Sequence, residues 1–198
     1  MKRILCYGDS NTWGAASFDG RIDGKSQWPI ILQSFLGKEY IIAQEGLCGR
    51  VAGDFDTHKP YRNGKTSYEV ILRSVEPSTI IIALGTNDLK AHYKRSAQQI
   101  TDDLLWYTSF TQELAKNRSQ PVPQIIYLLP ANFESNEYFT GSKTLRLEVV
   151  DRMKNSGVAY IELNDLEMTE DGVHYSLKAH KEVAHLVDTR LQKEKFDE

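Results

Sequence analysis

Three residues near opposite ends of the chain carry side chains that together could cleave an ester: Ser10, Asp171 and His174. Acyl transfer from a serine needs a hydroxyl nucleophile, an imidazole that takes its proton and a carboxylate that orients the imidazole. Histidine side chains ordinarily titrate near neutral pH, so an imidazole at position 174 is the candidate base. Asp171 stands three residues before it and can reach its other ring nitrogen across one turn. The pattern predicts a nucleophile at Ser10, served by His174 and Asp171.

The negative charge that develops on the ester carbonyl oxygen needs hydrogen-bond donors, and three are available. Asn87, in GTND, can donate from its side-chain amide. Gly49, in EGLCGR, can donate a backbone N–H that no side chain obstructs, and Ser10 can donate its own backbone N–H. We expect Ser10, Gly49 and Asn87 to form an oxyanion hole, with Gly46 as an alternative donor to Gly49.

These residues must be brought together by regular elements, and the first of these are strands. Five short apolar runs rich in β-branched residues predict strands buried on both faces. They are 3–7, 40–44, 79–84, 124–129 and 158–163. Polar residues follow the ends of these runs, where ligands bind in open α/β sheets.

Segments with helical spacing alternate with the predicted strands. They are 26–36, 67–75, 96–116, 142–156 and 176–192, with Ser176 placed as the N-cap of the last. Regular alternation predicts an α/β fold with helices on both faces of a parallel sheet. We expect a three-layer α/β/α architecture with five parallel strands in the flavodoxin-like order 2-1-3-4-5. The whole chain, 1–198, is expected to form a single domain.

Four short blocks of the sequence resemble a known family. They are GDSNTWG at 8–14, EGLCGR at 45–50, GTND at 85–88 and DGVH at 171–174. Together they resemble the SGNH hydrolases, also called GDSL esterases and lipases, and look closest to the arylesterase and acyltransferase branch. The resemblance implies Ser10 as nucleophile, Gly49 and Asn87 as oxyanion donors, Asp171 and His174 as the remaining triad, and no metal or cofactor.

The expected activity is that of a serine esterase acting on small acyl esters, such as acetyl or aryl esters, through an acyl-enzyme intermediate. Acyl transfer to alcohols is a further expectation. Trp13 and Phe133 are candidate substrate contacts, and aromatic residues on the loops 14–27, 51–66 and 130–141 favour a small apolar pocket. A long apolar lid is not apparent, which disfavours a lipase acting at an oil interface.

Other residues compete for these roles. The remaining histidines, which are His58, His92, His180 and His185, are expected at the surface. Cys48 lies close enough to be a rival nucleophile, but reactivity requires a lowered thiol pKa. Both cysteines are expected to be buried, and the carboxylates of Asp9 and Asp88 are expected to tie down their own loops through backbone N–H groups.

The composition excludes several classes of partner. Lysine and arginine number 24 against 27 acidic residues, a net charge of -3, so a nucleic-acid partner is not expected. The apolar runs fall far short of the roughly 20 residues of a membrane span. Two cysteines without C-x-x-C spacing give little support for a disulfide framework or a zinc site. We expect a cytoplasmic protein with a small-molecule ester as its partner, and homo-oligomerisation is left open.

Two sets of alternatives stay open. Within the same family, a carbohydrate O-acetyl esterase, a lysophospholipase or a thioesterase would carry the same residues. A non-catalytic flavodoxin-like module could instead bind a phosphorylated ligand at the same strand edge through its glycine-rich turns. That module leaves the spacing of Asp171 and His174 unexplained.

Overall fold

A parallel five-stranded sheet organises the molecule. The computed structural model describes residues 1–17, 20–133 and 136–196. The strands are β1 (Lys2–Gly8), β2 (Tyr40–Gly46), β3 (Thr79–Ala83), β4 (Gln124–Leu128) and β5 (Ala159–Ile161). Their order is β2-β1-β3-β4-β5, and every neighbouring pair is parallel. The predicted strands and their order are confirmed.

Helices cover both faces of the sheet. They are α1 (Ser10–Trp13), α2 (Trp28–Leu36), α3 (Gly64–Val75), α4 (Ala97–Asn117), α5 (Ser142–Lys154) and α6 (Leu177–Phe196). One apolar cluster joins the sheet to α3, α4 and α5, and a second joins it to α2 and α6. The predicted three-layer α/β/α architecture is therefore confirmed.

The central strand β1 divides its side chains between the two cores. Leu5 and Tyr7 pack with α3 and α4, whereas Ile4 and Cys6 pack with α2 and α6. This alternation follows from the two-residue period of a strand. All four side chains are fully buried, so β1 has the expected burial on both faces.

Strand β2 departs from the expectation of burial on both faces. Six of its seven residues are half-buried, and Ile41 is 43% exposed. The reason is its position at the edge of the sheet, which a continuous apolar run does not reveal.

Side-chain caps define where the two longest helices begin. Ser96 and Gln99 form a capping box at the start of α4, with the Gln99 N–H donating to Ser96 Oγ at 3.2 Å. Ser176 Oγ accepts from the Ala179 N–H at 3.1 Å, which confirms its predicted capping of α6. Among the described residues, no helix combines the length and the apolar character needed to cross a bilayer.

Candidate active site

Ser10 lies directly beyond the carboxyl end of β1, at the first position of α1. Asp9 caps this short helix, its Oδ1 accepting the Asn11 N–H at 2.9 Å, as predicted for its loop role. Gly8 leaves room for the turn, because a Cβ there would approach Thr12 Oγ1 to 2.0 Å. Ser10 itself is 8% exposed, so its hydroxyl sits in a recess rather than on an open surface.

The structure brings Ser10, His174 and Asp171 into one hydrogen-bonded line. Ser10 Oγ lies 3.0 Å from His174 Nε2, and His174 Nδ1 lies 2.6 Å from Asp171 Oδ2. With the proton on Nδ1, the imidazole donates to the carboxylate and Nε2 accepts from the hydroxyl. A residue pair separated by 164 positions thus meets at hydrogen-bonding distance.

Asp171 is held as a carboxylate by several donors. Its Oδ1 accepts from the backbone N–H groups of Val173 at 2.9 Å and His174 at 3.0 Å, and from Thr169 Oγ1 at 3.0 Å. Burial alone raises the pKa of Asp171, but the hydrogen bonds from His174 and Val173 outweigh it and lower the pKa to about 2. The group is therefore ionised at neutral pH and can orient His174.

Asn11 joins the two halves of this arrangement and was missed by the sequence analysis. Its Oδ1 accepts the Tyr175 N–H at 2.9 Å, and its Nδ2 donates to the Val173 carbonyl at 3.3 Å. Both partners flank His174 in the chain. The available signal was the position of Asn11 directly after Ser10, which places its side chain at the same sheet edge.

Asn87 and Gly49 both line the cleft in front of Ser10. Asn87 begins a short 3-10 helix after β3 and donates one amide hydrogen to the Arg50 carbonyl at 3.1 Å. A primary amide carries two donor hydrogens, so a second is available to a ligand. Gly49 has a φ of +76°, a conformation that other residues rarely adopt.

Gly46 is not part of the cleft lining. It ends β2, and a Cβ at this position would approach the Trp13 nitrogen to 2.1 Å. Gly46 therefore serves the close packing of α1 on β2. Of the two glycines considered as oxyanion donors, Gly49 is the one that lines the cleft.

Arg50, the neighbour of Gly49 in the chain, anchors the backbone of this part of the site and was also missed by the sequence analysis. Only 4% of it is exposed, and its Nη1 donates to the carbonyls of Gly8 at 3.0 Å and Glu45 at 2.5 Å. Its guanidinium lies 4.2 Å from the centre of the Tyr7 ring. The carbonyl that holds Asn87 thus belongs to a residue anchored between β1 and β2.

Asp88 acts across loops as well as within its own. It bonds its own backbone, as expected, and both of its carboxylate oxygens also lie within 3.0 Å of the Ala52 nitrogen. Burial raises the pKa of Asp88 to about 7, and burial likewise raises the pKa of Asp9 to about 6. The side chain joins the segment after Arg50 to the segment after Asn87.

The cleft has a volume of about 1100 Å³ and opens beside Ser10 and His174. Trp13 lines it, as do Tyr138 and Phe139. Phe133 is 5% exposed, belongs to the core, and packs on Phe139 with ring centres 4.8 Å apart. Phe133 is not among the residues that line the cleft, although Phe139, on which it packs, does line it. Phe18, on one of the loops considered, lies outside the described residues.

The remaining histidines divide into two groups. His58 and His92 are exposed and line the cleft, and His185 is exposed and stacked on Phe35. His180 is fully buried, so its expected surface position is wrong. It faces α2, where Nδ1 accepts the Trp28 N–H at 3.2 Å, and burial lowers its pKa to about 4.

The two cysteines also differ. Cys6 is fully buried in β1, and burial raises the pKa of its thiol. Cys48 is only half-buried and lines the cleft, contrary to its expected burial. As for a rival nucleophile, the base that a nucleophile in this cleft needs is His174, and its Nε2 lies at hydrogen-bonding distance from Ser10 Oγ.

The sheet order, the helical layers and the Ser–His–Asp line at the carboxyl ends of the strands place the protein in the α/β/α hydrolase class. The particular family follows from the sequence as a whole. Residues 4–187 match the GDSL-like Lipase/Acylhydrolase family, and the chain belongs to it.

A curated protein with a similar sequence is an esterase by name. An acetylxylan esterase of Xylanibacter ruminicola is 25% identical over an alignment covering 96% of this chain and 43% of that protein. The chain thus spans less than half the length of this curated relative.

Solved structures with the same fold include the aryl esterase of M. smegmatis, with a TM-score of 0.88, 22% identity and coverage of 98% of this chain and 99% of that chain. A carbohydrate acetylesterase from Sinorhizobium meliloti has a TM-score of 0.88, 23% identity and the same coverage. At this level of identity the similarity establishes the fold.

Proposed function

We propose that the protein is a serine esterase that hydrolyses small acyl esters through an acyl-enzyme intermediate. The observation that carries the proposal is the continuous line from Ser10 Oγ to His174 Nε2, at 3.0 Å, and from His174 Nδ1 to Asp171, at 2.6 Å. Membership of an acylhydrolase family agrees with this assignment.

In the first half of the reaction, Ser10 Oγ attacks the carbonyl carbon of the ester while His174 Nε2 takes the hydroxyl proton. The electron pair of the C=O bond moves to oxygen, and the N–H of Gly49, the amide of Asn87 and the N–H of Ser10 donate hydrogen bonds to the oxyanion that forms. Collapse of this intermediate breaks the bond to the alcohol, which leaves with the proton from His174. Asp171 stabilises the imidazolium that forms in between.

In the second half, His174 takes a proton from water as the water oxygen attacks the acyl carbon on Ser10. Collapse releases the carboxylic acid and returns the proton to Ser10. An alcohol occupying the place of this water would accept the acyl group instead, and acyl transfer is part of the proposal.

The aromatic lining of the cleft suits small apolar acyl or aryl groups, and a short acyl group is part of the proposal. Acetylated carbohydrate is a second candidate substrate, because an acetylxylan esterase and a carbohydrate acetylesterase are among the similar proteins. A cytoplasmic location and the absence of a nucleic-acid partner stay predictions from composition.

The test is covalent labelling of Ser10. Intact mass after treatment with a small fluorophosphonate, together with p-nitrophenyl acetate turnover, is measured for the wild type and for Ser10→Ala. We expect one adduct in the wild type, none in the variant, and loss of nearly all turnover. Ser119→Ala, which alters an exposed serine outside the cleft, is the matched control. Turnover that persists in Ser10→Ala would show that another residue is the nucleophile.

A further inference from the structure

The cleft is lined with cations although the chain as a whole is acidic. The net charge is -3, yet Lys59, Arg62 and Lys90 all border the cleft beside the candidate oxyanion donors. Within the described ranges 1–17, 20–133 and 136–196, none of the three forms an ion pair. Positive side chains gathered in a recess raise the local concentration of negatively charged ligands.

The lining carboxylate closest in sequence to these cations is already engaged elsewhere. Asp56 Oδ1 accepts from the N–H groups of His58 at 3.1 Å and Lys59 at 2.9 Å, and Oδ2 accepts from the Tyr93 hydroxyl at 2.9 Å. Asp56 thus shapes the loop. Its carboxylate neutralises the cations only at longer range.

Arg95, another cation of the lining, is different. It is ion-paired with Asp103 and lies over the Phe55 ring at 4.0 Å. Its charge is therefore committed to the protein, which separates it from the cations that form no ion pair.

Arg62 lies against the backbone of Gly49. A Cβ at Gly49 would come within 2.7 Å of Arg62 Cζ, so the guanidinium covers the face of this candidate donor residue. The Arg62 Nε is buried and meets no acceptor within the described part of the chain. A buried donor without a partner is costly, and Arg62 also borders the cleft, where an anion can meet the charge of its guanidinium.

Lys90 is the third cation of the group and also borders the cleft. It follows Asn87 by three residues, is half-buried, and its Nζ lies 5.9 Å from the centre of the Tyr138 ring. Burial and the charge of Arg62 lower the pKa of Lys90. A bound anion would offset both effects.

We propose that Lys59, Arg62 and Lys90 form an anion subsite, so that the preferred substrate is an acyl ester whose alcohol portion carries a negatively charged oxyacid group. The inference rests on the proposed esterase function. Guanidinium and ammonium groups recognise both carboxylates and phosphates. Because the acyl group is small, the charge belongs to the alcohol portion, which extends along the cleft.

The experiment compares matched acetyl esters that differ in one charge. They are 4-acetoxybenzoate and its neutral methyl ester, with 4-acetoxyphenyl phosphate as the phosphate arm. Release of the phenol is followed for the wild type, Arg62→Gln, Lys90→Gln and the exposed control Lys38→Gln, which lies outside the cleft. The readout is the ratio of kcat/KM for the charged ester to kcat/KM for the neutral ester. The two esters differ in intrinsic reactivity, but this difference is the same for every variant and cancels when the ratios of two variants are compared.

We expect each cleft variant to lower this ratio about tenfold, which corresponds to about 1.4 kcal/mol, mainly through KM for the charged ester. Arg62→Lys should recover part of the ratio, Lys38→Gln should leave it unchanged, and 0.5 M salt should reduce it because exposed charges are screened. The phosphate arm shows which oxyacid the subsite prefers.

Two results would overturn the subsite. One is a charge ratio that is the same in the wild type and in both cleft variants. The other is a fall in kcat that is equal for the charged and neutral esters, which would mean that the cations serve the oxyanion alone. In both results, Ser10-dependent hydrolysis of the neutral ester leaves the proposed function standing. Absence of that hydrolysis would overturn the proposed function and the subsite together.

Discussion

Aspartates in this protein have opposite ionisation tendencies because their surroundings differ. Asp171 accepts two backbone N–H bonds and faces His174, and these bonds outweigh burial to lower its pKa to about 2. Asp88 is fully buried, and although both oxygens accept from Ala52, burial raises its pKa to about 7. The first is suited to hold a positive imidazolium, and the second is suited to hold loops together.

Asn87→Ala should lower kcat by roughly 10²–10³-fold, because a side-chain donor that meets the developing oxyanion contributes about 2.7–4 kcal/mol. KM for p-nitrophenyl acetate should change little, because the bond strengthens in the transition state. Steady-state kinetics checks this, and Asn117→Ala at the exposed end of α4 is the matched control. An effect confined to KM would contradict the assigned role. Melting curves must accompany the kinetics, because the lost bond to Arg50 also affects stability.

One side chain of α1 connects this helix to the loop that carries His174. Asn11 belongs to α1 and bonds the backbone of Val173 and Tyr175 on either side of His174. Both bonds cross more than 160 positions of the chain. Asn11 is therefore a positioning residue that sets the distance between Ser10 and His174.

Asn11→Ala should lower kcat by about 10²-fold, since a displacement of about 1 Å in the reacting groups costs a factor of this size. The rate of fluorophosphonate labelling of Ser10 should fall in parallel, because it depends on the same proton transfer. Asn11→Asp keeps an acceptor for the Tyr175 N–H and should retain more activity. Unchanged kcat and labelling in a folded Asn11→Ala protein would show that the loop is held by other contacts.

At the scale of the whole molecule, the burial of a titratable side chain between loops makes the stability of the fold depend on pH. Asp88 is protonated more readily in the folded chain than in the unfolded chain, because burial raises its pKa from 3.8 to about 7. Between these values the unfolded state has released the proton and the native state retains it. The stabilisation that protonated Asp88 adds to the free energy of unfolding is therefore lost as pH rises from about 4 to about 7.

Asp88→Asn should remove this contribution. The wild type minus variant difference in the free energy of unfolding should fall with pH by up to about 1.4 kcal/mol per unit over that interval. Denaturant unfolding at a series of pH values measures it, with Asp54→Asn as an exposed control in a neighbouring loop. A difference that is constant from pH 4 to pH 7 would be incompatible with a raised pKa in the folded state.

Local patterns were sufficient for much of this structure. Apolar runs located all five strands, helical spacing located the five long helices, and Ser176 was correctly placed as a cap. Ser10, His174 and Asp171 could be selected from the sequence as the candidate triad, because Ser10 follows the first strand and the other two follow the last strand after a loop. Their chemistry is a property of residue type, and their neighbourhood follows from the rule that parallel strands end at one edge.

Contacts across the fold decided the rest. His180 lies on the inner face of α6, and only the packing of α6 against α2 makes that face a buried one. Phe133 and Phe139 are both buried in the same apolar cluster, yet of these two only Phe139 borders the cleft, a difference that residue type cannot predict.

Sequence patterns therefore specified which residues could react and which elements carry them, because periodicity and residue chemistry are local properties. The support of the site by Asn11 and Arg50, the burial that sets the pKa of Asp88, and the cations gathered in an acidic chain arise from packing. Such contacts join positions far apart in the chain, so their energies exist only once the elements have assembled.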